Sequence, residues 1–197
     1  DISPNSNKDQ IIKSLRSNLS DHTFNKLHDP RVIIIGANGR VGRGAKELFN
    51  LMGIKTTDWD MAETEKGGPF SEILDYDIFV NCVLSSSVMR PFIDRSLLDS
   101  PRRLLVISDV SCDPGSDYNT IPLYDQPNSF RVPFHKIMNK NGPLYITAID
   151  NLPSMLPGES SLDFESQLLP HLKGFKNHQD GVWARAKKVF LKHSKEN

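Results

Sequence analysis

Four consecutive β-branched residues, Val32-Ile33-Ile34-Ile35, stand between Pro30 and Gly36. A short unbroken apolar run of this kind predicts a strand buried on both faces, as in a parallel sheet flanked by helices. The period then changes. Over 39–52 the apolar residues Val41, Ala45, Leu48, Phe49 and Met52 fall on one side of a helix, and Gly53 suits its C-terminal end. A second strand is predicted over 54–59, closed by Asp60, followed by a polar loop over 61–70 that contains Gly67-Gly68-Pro69. A short helix around 71–74 leads to a buried strand over 77–84. Next come a helix over 88–99 with Pro91 in its first turn, a strand over 104–110 and a loop rich in Pro, Gly and Asp over 112–127. One more strand is predicted over 144–149, then helical patterning over 160–169. The last helix, 181–194, carries Val182, Trp183, Ala186, Val189 and Phe190 on the side expected to face inward.

Upstream of the strand, Ile11, Ile12, Leu15, Leu19, Phe24 and Leu27 give 9–27 a helical spacing, with Ser6 or Asn7 as cap and His28-Asp29-Pro30 as the stop. This segment reads as a linker helix leading into a domain. Strands alternating with helices place the chain in the α/β class, as a doubly wound parallel sheet of the Rossmann type with an N-terminal linker helix and a C-terminal helix.

The turn after the first strand, Gly36-Ala37-Asn38-Gly39-Arg40-Val41-Gly42, is a G-x-x-G-x-x-G variant of the dinucleotide fingerprint. Gly36 permits a sharp exit from the strand, Gly39 lets a pyrophosphate approach the backbone, and Gly42 lets the helix press on the strand. The helix that starts here directs free N–H groups and the positive end of its dipole at a phosphate. The alternative is a tight strand-to-helix turn that binds nothing. A dinucleotide site also needs an acid at the end of the second strand for the ribose hydroxyls, and Asp60 stands about 20 residues after the glycines. Asp58 competes for the role, but Asp60 is closer to the strand end. An acid here favours NAD over NADP, because it repels a 2′-phosphate. Arg40 is placed to contact either the pyrophosphate or a 2′-phosphate. Ligands of such sheets lie beyond the carboxyl ends of the strands. That directs attention to Cys82-Val83-Leu84-Ser85, to Asp109-Val110-Ser111-Cys112-Asp113 and to Ile149-Asp150-Asn151-Leu152-Pro153.

Composition narrows the partners. Lys plus Arg and Asp plus Glu number 24 each, so no basic excess points to nucleic acid. No stretch approaches the ~20 apolar residues of a membrane span. The first ten residues lack the pattern of a signal peptide, and without an initiator Met the chain is expected to begin inside a longer protein. Two cysteines, Cys82 and Cys112, make no disulfide framework, and a reducing, cytoplasmic setting is expected. The six His show no metal-ligand spacing, so no metal site is expected. His135-Lys136 falls in what reads as a polar loop.

Seven segments together carry a more specific likeness: VIIIGANGRVGRGA (32–45), WDMAET (59–64), GGPFSEI (67–73), DIFVNCVL (77–84), SDVSCD (108–113), IDNLPSMLPGE (149–159) and VWARAKKVF (182–190). In these the chain resembles the lysine-forming saccharopine dehydrogenases and, more distantly, the alanine dehydrogenase and transhydrogenase superfamily. The resemblance implies NAD-linked oxidative cleavage of saccharopine to lysine and 2-oxoglutarate. It implies cofactor contacts from Gly36, Gly39 and Arg40 at the phosphates and from Asp60 and Thr64 at the adenosine ribose. Leu84, Val110, Ile149, Asp150, Asn151 and Leu152 are implied to line the rest of the cleft, and Ser111, Cys112 and Asp113 to face an amino-acid substrate. The family's acid–base Lys and His belong to an N-terminal domain that this chain lacks, so no catalytic residue is expected within it. The implied organisation is a linker helix over 1–30 at the tail of that domain, an NAD-binding domain over 31–158 and a C-terminal helical segment over 159–197. The alternatives are a lysine–ketoglutarate reductase, an alanine dehydrogenase relative, and a non-catalytic dinucleotide-binding module.

Overall fold

A computed structural model describes residues 7–21, 30–85 and 87–194. They form two compact units, one of residues 12–152 and the other of the described residues of 1–11 with 153–197. The larger unit is built on a six-stranded sheet in the order β2-β1-β3-β4-β6-β5. Strands β1 (Val32–Ile35), β2 (Thr56–Trp59), β3 (Ile78–Asn81), β4 (Val106–Asp109) and β6 (Gly142–Thr147) run parallel. At the outer edge β5 (His135–Asn139) pairs antiparallel with β6. The sheet with helical cover is the α/β, Rossmann-type doubly wound arrangement that the alternating pattern predicts.

The β-branched run of β1 is buried on both faces because its alternate residues enter two cores. Val32 and Ile34 join Ala37, Ile54 and Val80, covered by Ala45 and Phe49 of α2 (Arg40–Leu51). Ile33 and Ile35 join Phe70, Ile73, Phe79, Phe92 and Ile107 on the other side. Each large apolar side chain so buried contributes about 2 kcal/mol. Helix α2 seats against β1 only because Gly42 has no side chain. A Cβ there would lie 2.2 Å from the Gly36 carbonyl oxygen and 2.7 Å from the Ala37 Cα.

Several elements differ from the sequence pattern. The loop expected over 61–70 opens with a short helix, α3 (Met61–Thr64), capped by Asp60. The helix expected over 88–99 shrinks to α4 (Arg95–Leu98), because the Phe92 N–H donates to the Thr120 carbonyl and the Phe92 carbonyl accepts from Phe70. That backbone serves as a tie between neighbouring segments and is not free to coil. His135 and Lys136 lie in strand β5, not in a loop. The turn into β6 is Lys140-Asn141, and Gly142, which opens the strand opposite Asn139, takes φ 90°.

Helix α1 (Lys8–Asp21) starts with a reciprocal cap in which Asn7 Oδ1 accepts the Gln10 N–H at 3.0 Å and Gln10 Oε1 accepts the Asn7 N–H at 3.3 Å. The alternative cap Ser6 and the expected continuation to residue 27 with its stop at 28–29 lie outside the described residues. In the smaller unit, α5 (Pro157–Lys173) and α6 (Gly181–His193) are joined at Trp183. Its indole N–H donates to the His171 carbonyl at 2.9 Å, and its ring meets Phe175 edge-on at 4.9 Å. The expected inward face of α6 is not realised throughout: Val189 and Phe190 are 57% and 68% exposed. Trp183 anchors the first turn, and Val189 and Phe190 lie in the later ones. Among the described residues no helix is long and apolar enough to cross a membrane.

Gly42→Ala should destabilise the larger unit by about 3 kcal/mol, the upper end for overpacking against unyielding atoms. Urea denaturation checks this, and an unchanged midpoint would show that α2 can back away from the turn without loss.

Candidate functional site

A cleft of about 430 Å³ opens at the carboxyl ends of β1, β2 and β3. Chain order places the switch point there, since the strand after β1 lies on one side of it and the next strand on the other. The lining includes Gly36, Gly39, Arg40, Asp60, Thr64 and Leu84. These are six of the residues singled out in the sequence, and the fold brings them together. Cys82, Val83, Met61, Met89 and Phe92 complete the apolar wall.

The glycine turn is held by main-chain bonds. The Trp59 carbonyl accepts the N–H groups of Gly36 and Ala37 at 2.9 and 3.1 Å, and the Gly36 carbonyl accepts that of Gly39 at 3.2 Å. Gly36 has φ 83°, and a Cβ there would meet the Cys82 carbonyl at 2.9 Å. No side chain caps the N-terminus of α2, whose cap residue is Gly39. A helix start with no side-chain cap, on a glycine turn held by main-chain bonds, leaves N–H groups that suit a phosphate.

Asp60 joins this glycine turn to the start of α3. One carboxylate oxygen accepts the Asn38 N–H at 2.9 Å and the other accepts the Met61 N–H at 3.0 Å. Its own N–H donates to Glu63 at 2.7 Å, completing the cap of α3, and the Thr64 hydroxyl donates to its carbonyl at 2.8 Å. The carboxylate also accepts the Glu63 N–H, and Asp60 lines the cleft. The competitor Asp58 is engaged elsewhere, in an ion pair with Lys46 at 2.6 Å.

The other residues implied to contact cofactor or substrate do not line this cleft. They sit at the ends of the next parallel strands. Val110 follows β4 and donates its N–H to the Asn81 carbonyl at 3.0 Å, while Ile149 is buried just after β6. Asp150 and Asn151 are exposed and Leu152 half-buried in the turn that follows. Ser111, Cys112 and Asp113 form the turn after β4, where Cys112 takes a left-handed φ of 51°. The Ser111 hydroxyl donates to the Val83 carbonyl and so touches the cleft wall from behind. Burial pushes the Cys112 thiol up, and the carboxylates of Asp109, Asp150 and Asp113 push it further. Burial, with Asp109 second, pushes Cys82 up to about 11. Both thiols are therefore protonated at neutral pH. Among the described residues no group of three His, Cys, Asp or Glu is arranged to hold a metal ion.

Sequence reasoning missed a buried polar network beneath these turns. Asn81 and Asp109 stand opposite each other at the ends of β3 and β4. The Asn81 amide donates to Asp109 at 2.9 Å and to the Thr120 hydroxyl at 3.0 Å, and the Tyr124 hydroxyl donates to Asp109 at 2.7 Å. His135 stacks on Tyr124 at 5.6 Å and bonds the Gln126 carbonyl, which gives it a packing role at the sheet edge. The available signal was Asn81 itself, a polar residue inside an otherwise apolar strand.

No protein-family model matches the chain. It is 41% identical over 199 aligned residues to the saccharopine dehydrogenase (NAD(+), L-lysine-forming) of Candida albicans, covering 98% of this chain and 52% of that protein. It is 39% identical to the Candida glabrata protein of the same name, over 98% and 54%, and 42% identical to that of Schizosaccharomyces pombe, over 82% and 46%. These relatives are saccharopine dehydrogenases. The chain spans about half the length of the curated relatives it matches. An alignment reaching 98% of the chain takes in the glycine turn, Asp60 and the ends of β3, β4 and β6, so the likeness to the saccharopine dehydrogenases runs through the whole cleft region.

Burial raises the pKa of Asp109, against the opposing pull of the Tyr124 and Asn81 hydrogen bonds. Above the ordinary value of 3.8 the unfolded chain has released this proton while the folded chain still holds it, so the Asp109 contribution to stability falls as pH rises. Urea denaturation of the native chain and of Asp109→Asn, from about pH 4 upward, should show the native chain losing stability relative to the variant. Parallel curves would mean that Asp109 titrates alike in both states.

Proposed function

We infer that this chain is the cofactor-binding portion of an NAD-dependent saccharopine dehydrogenase that cleaves L-saccharopine oxidatively to L-lysine and 2-oxoglutarate. The observation that carries this is the coincidence of two facts. The relatives named for that activity match nearly the whole chain, and the glycine cradle with Asp60 stands at the switch point of the sheet. The residues fit a dinucleotide. A Cβ at Gly36 would meet the Cys82 carbonyl, no side chain caps the start of α2, and Asp60 bonds the glycine turn at Asn38.

In this reading Gly36, Gly39 and Arg40 hold the pyrophosphate, and Asp60 accepts the adenosine ribose hydroxyls with Thr64 beside it. Leu84, Val110, Ile149, Asp150, Asn151 and Leu152 border the nicotinamide half, and Ser111, Cys112 and Asp113 face the amino-acid substrate. The chemistry supplied by a bound nicotinamide is acceptance of a hydride from the carbon beside the secondary amine of the substrate. The substrate imine so formed adds water and splits into the amine and the keto acid. The protons of those steps require a donor and acceptor within hydrogen-bonding reach, which this reading assigns to the remaining half of the relatives' length. A reducing, cytoplasmic setting belongs to the same reading, Cys82 and Cys112 being free thiols.

Calorimetric titration of the chain with NADH and NADPH tests the reading. NADH should saturate it with NADPH weaker, and no NADH should form from NAD and saccharopine on the chain alone. Asp60→Ala should weaken NADH binding by about 1–2 kcal/mol, with a thermal melt to separate loss of the α3 cap from loss of the ribose contact. No binding of either nucleotide by folded chain would overturn the reading. A preference for NADPH would favour the reductase alternative.

A further inference from the structure

The polar network behind the cleft holds an acid, Asp109, whose ionised form has no cation among its bonded partners. Asp109 is 2% exposed, and each bond to its carboxylate comes from a neutral donor: the Tyr124 hydroxyl at 2.7 Å, the Asn81 amide at 2.9 Å and the Cys112 N–H at 3.4 Å. No ion pair among the described residues includes it. A buried carboxylate without a cation is costly, and a cation placed near it is correspondingly favoured.

This charge is coupled to the cleft wall. Asn81, which donates to Asp109, also accepts the Val83 N–H at 3.3 Å. Its amide lies 3.4 Å from the Ser111 hydroxyl, which donates to the Val83 carbonyl. Val83 and Cys82 line the cleft, and the field of Asp109 reaches the Cys82 thiol and raises its pKa. Asp60 stands at the β2 end of the same cleft, and Asp109 lies behind its β3 side. A dinucleotide laid across the switch point, with its adenosine ribose at Asp60, directs its other end toward β3 and β4.

The two oxidation states of a nicotinamide dinucleotide share their phosphates, riboses and adenine. They differ in the ring, which is cationic when oxidised and neutral when reduced. We propose that Asp109 sets the oxidation-state preference of the cleft, its buried carboxylate favouring the cationic oxidised ring over the neutral reduced one. The inference rests on the cofactor reading above and deepens it. A site so biased loads the oxidised cofactor and releases the reduced one, as an oxidative direction requires. A purely structural network would affect both forms alike, since everything outside the ring is common to them.

The experiment is parallel calorimetric titration of the native chain and of Asp109→Asn with NAD+ and with NADH, read as the ratio of the two Kd values. The variant can keep its bonds, because an Asn carbonyl accepts from Asn81 and an Asn amide donates to the Tyr124 oxygen. Should it fail to fold, Asp109→Leu with Tyr124→Phe replaces the bonded pair by apolar groups of similar size and serves the same comparison. The expected result is NAD+ binding weakened about fivefold with NADH binding unchanged, which is ~1 kcal/mol, the scale of a solvent-screened charge pair. Equal weakening of both nucleotides, or an unchanged ratio, would overturn the proposal and leave the cofactor reading standing. Binding of neither nucleotide by the native chain would overturn both.

Discussion

The contact between α2 and the β1 turn is the constraint on which the cleft depends. Gly42 rides on the Gly36 carbonyl at a distance that leaves no space for a Cβ, and this closeness brings the start of α2 to the carboxyl end of β1. The same turn is bonded to the end of β2, through the Trp59 carbonyl and the Asp60 carboxylate. The relative position of helix start and acid is therefore set by main-chain geometry and one short side chain. Such a site is built before any ligand arrives, which lowers the ordering cost of binding.

A second layer lies where the apolar interior of the sheet gives way to its polar edge. Asn81 and Asp109 are register partners on adjacent parallel strands, so their side chains meet without distortion. Tyr124 and Thr120 reach in from the long loop after β4 and close the network. The two acids of the cleft region have different physics. Asp60 is partly open and acts through hydrogen bonds at contact distance, whereas Asp109 is sealed and acts through its field in a medium that screens poorly. Burial raises the pKa of both thiols, and that field adds to the rise.

The likeness to saccharopine dehydrogenases covers this chain almost end to end and those proteins only by half. The division matches the chemistry at hand. The described cleft offers donors, a helix start and one carboxylate, which suit binding. No His or Lys is among its lining residues.

The sequence by itself determined β1, the glycine turn, α2 and the acid after β2, because each depends on neighbours within one or two turns of chain. A β-branched run, glycines where a Cβ clashes, and an apolar stripe at helical period are local statements, and Asp60 follows from the length of one strand-helix-strand unit. Tertiary structure decided the rest. The stretch 88–94 stays extended because Phe92 bonds to Phe70 and Thr120, partners invisible from its own pattern. Strand β5 exists because β6 offers it an edge. The apolar residues of α6 carry helical spacing in the sequence, but spacing cannot say whether a partner covers them, and Val189 and Phe190 lie exposed. The Asn81–Asp109–Tyr124 network joins residues 28 and 15 positions apart, so it arises only when strand register brings polar side chains together out of water's reach.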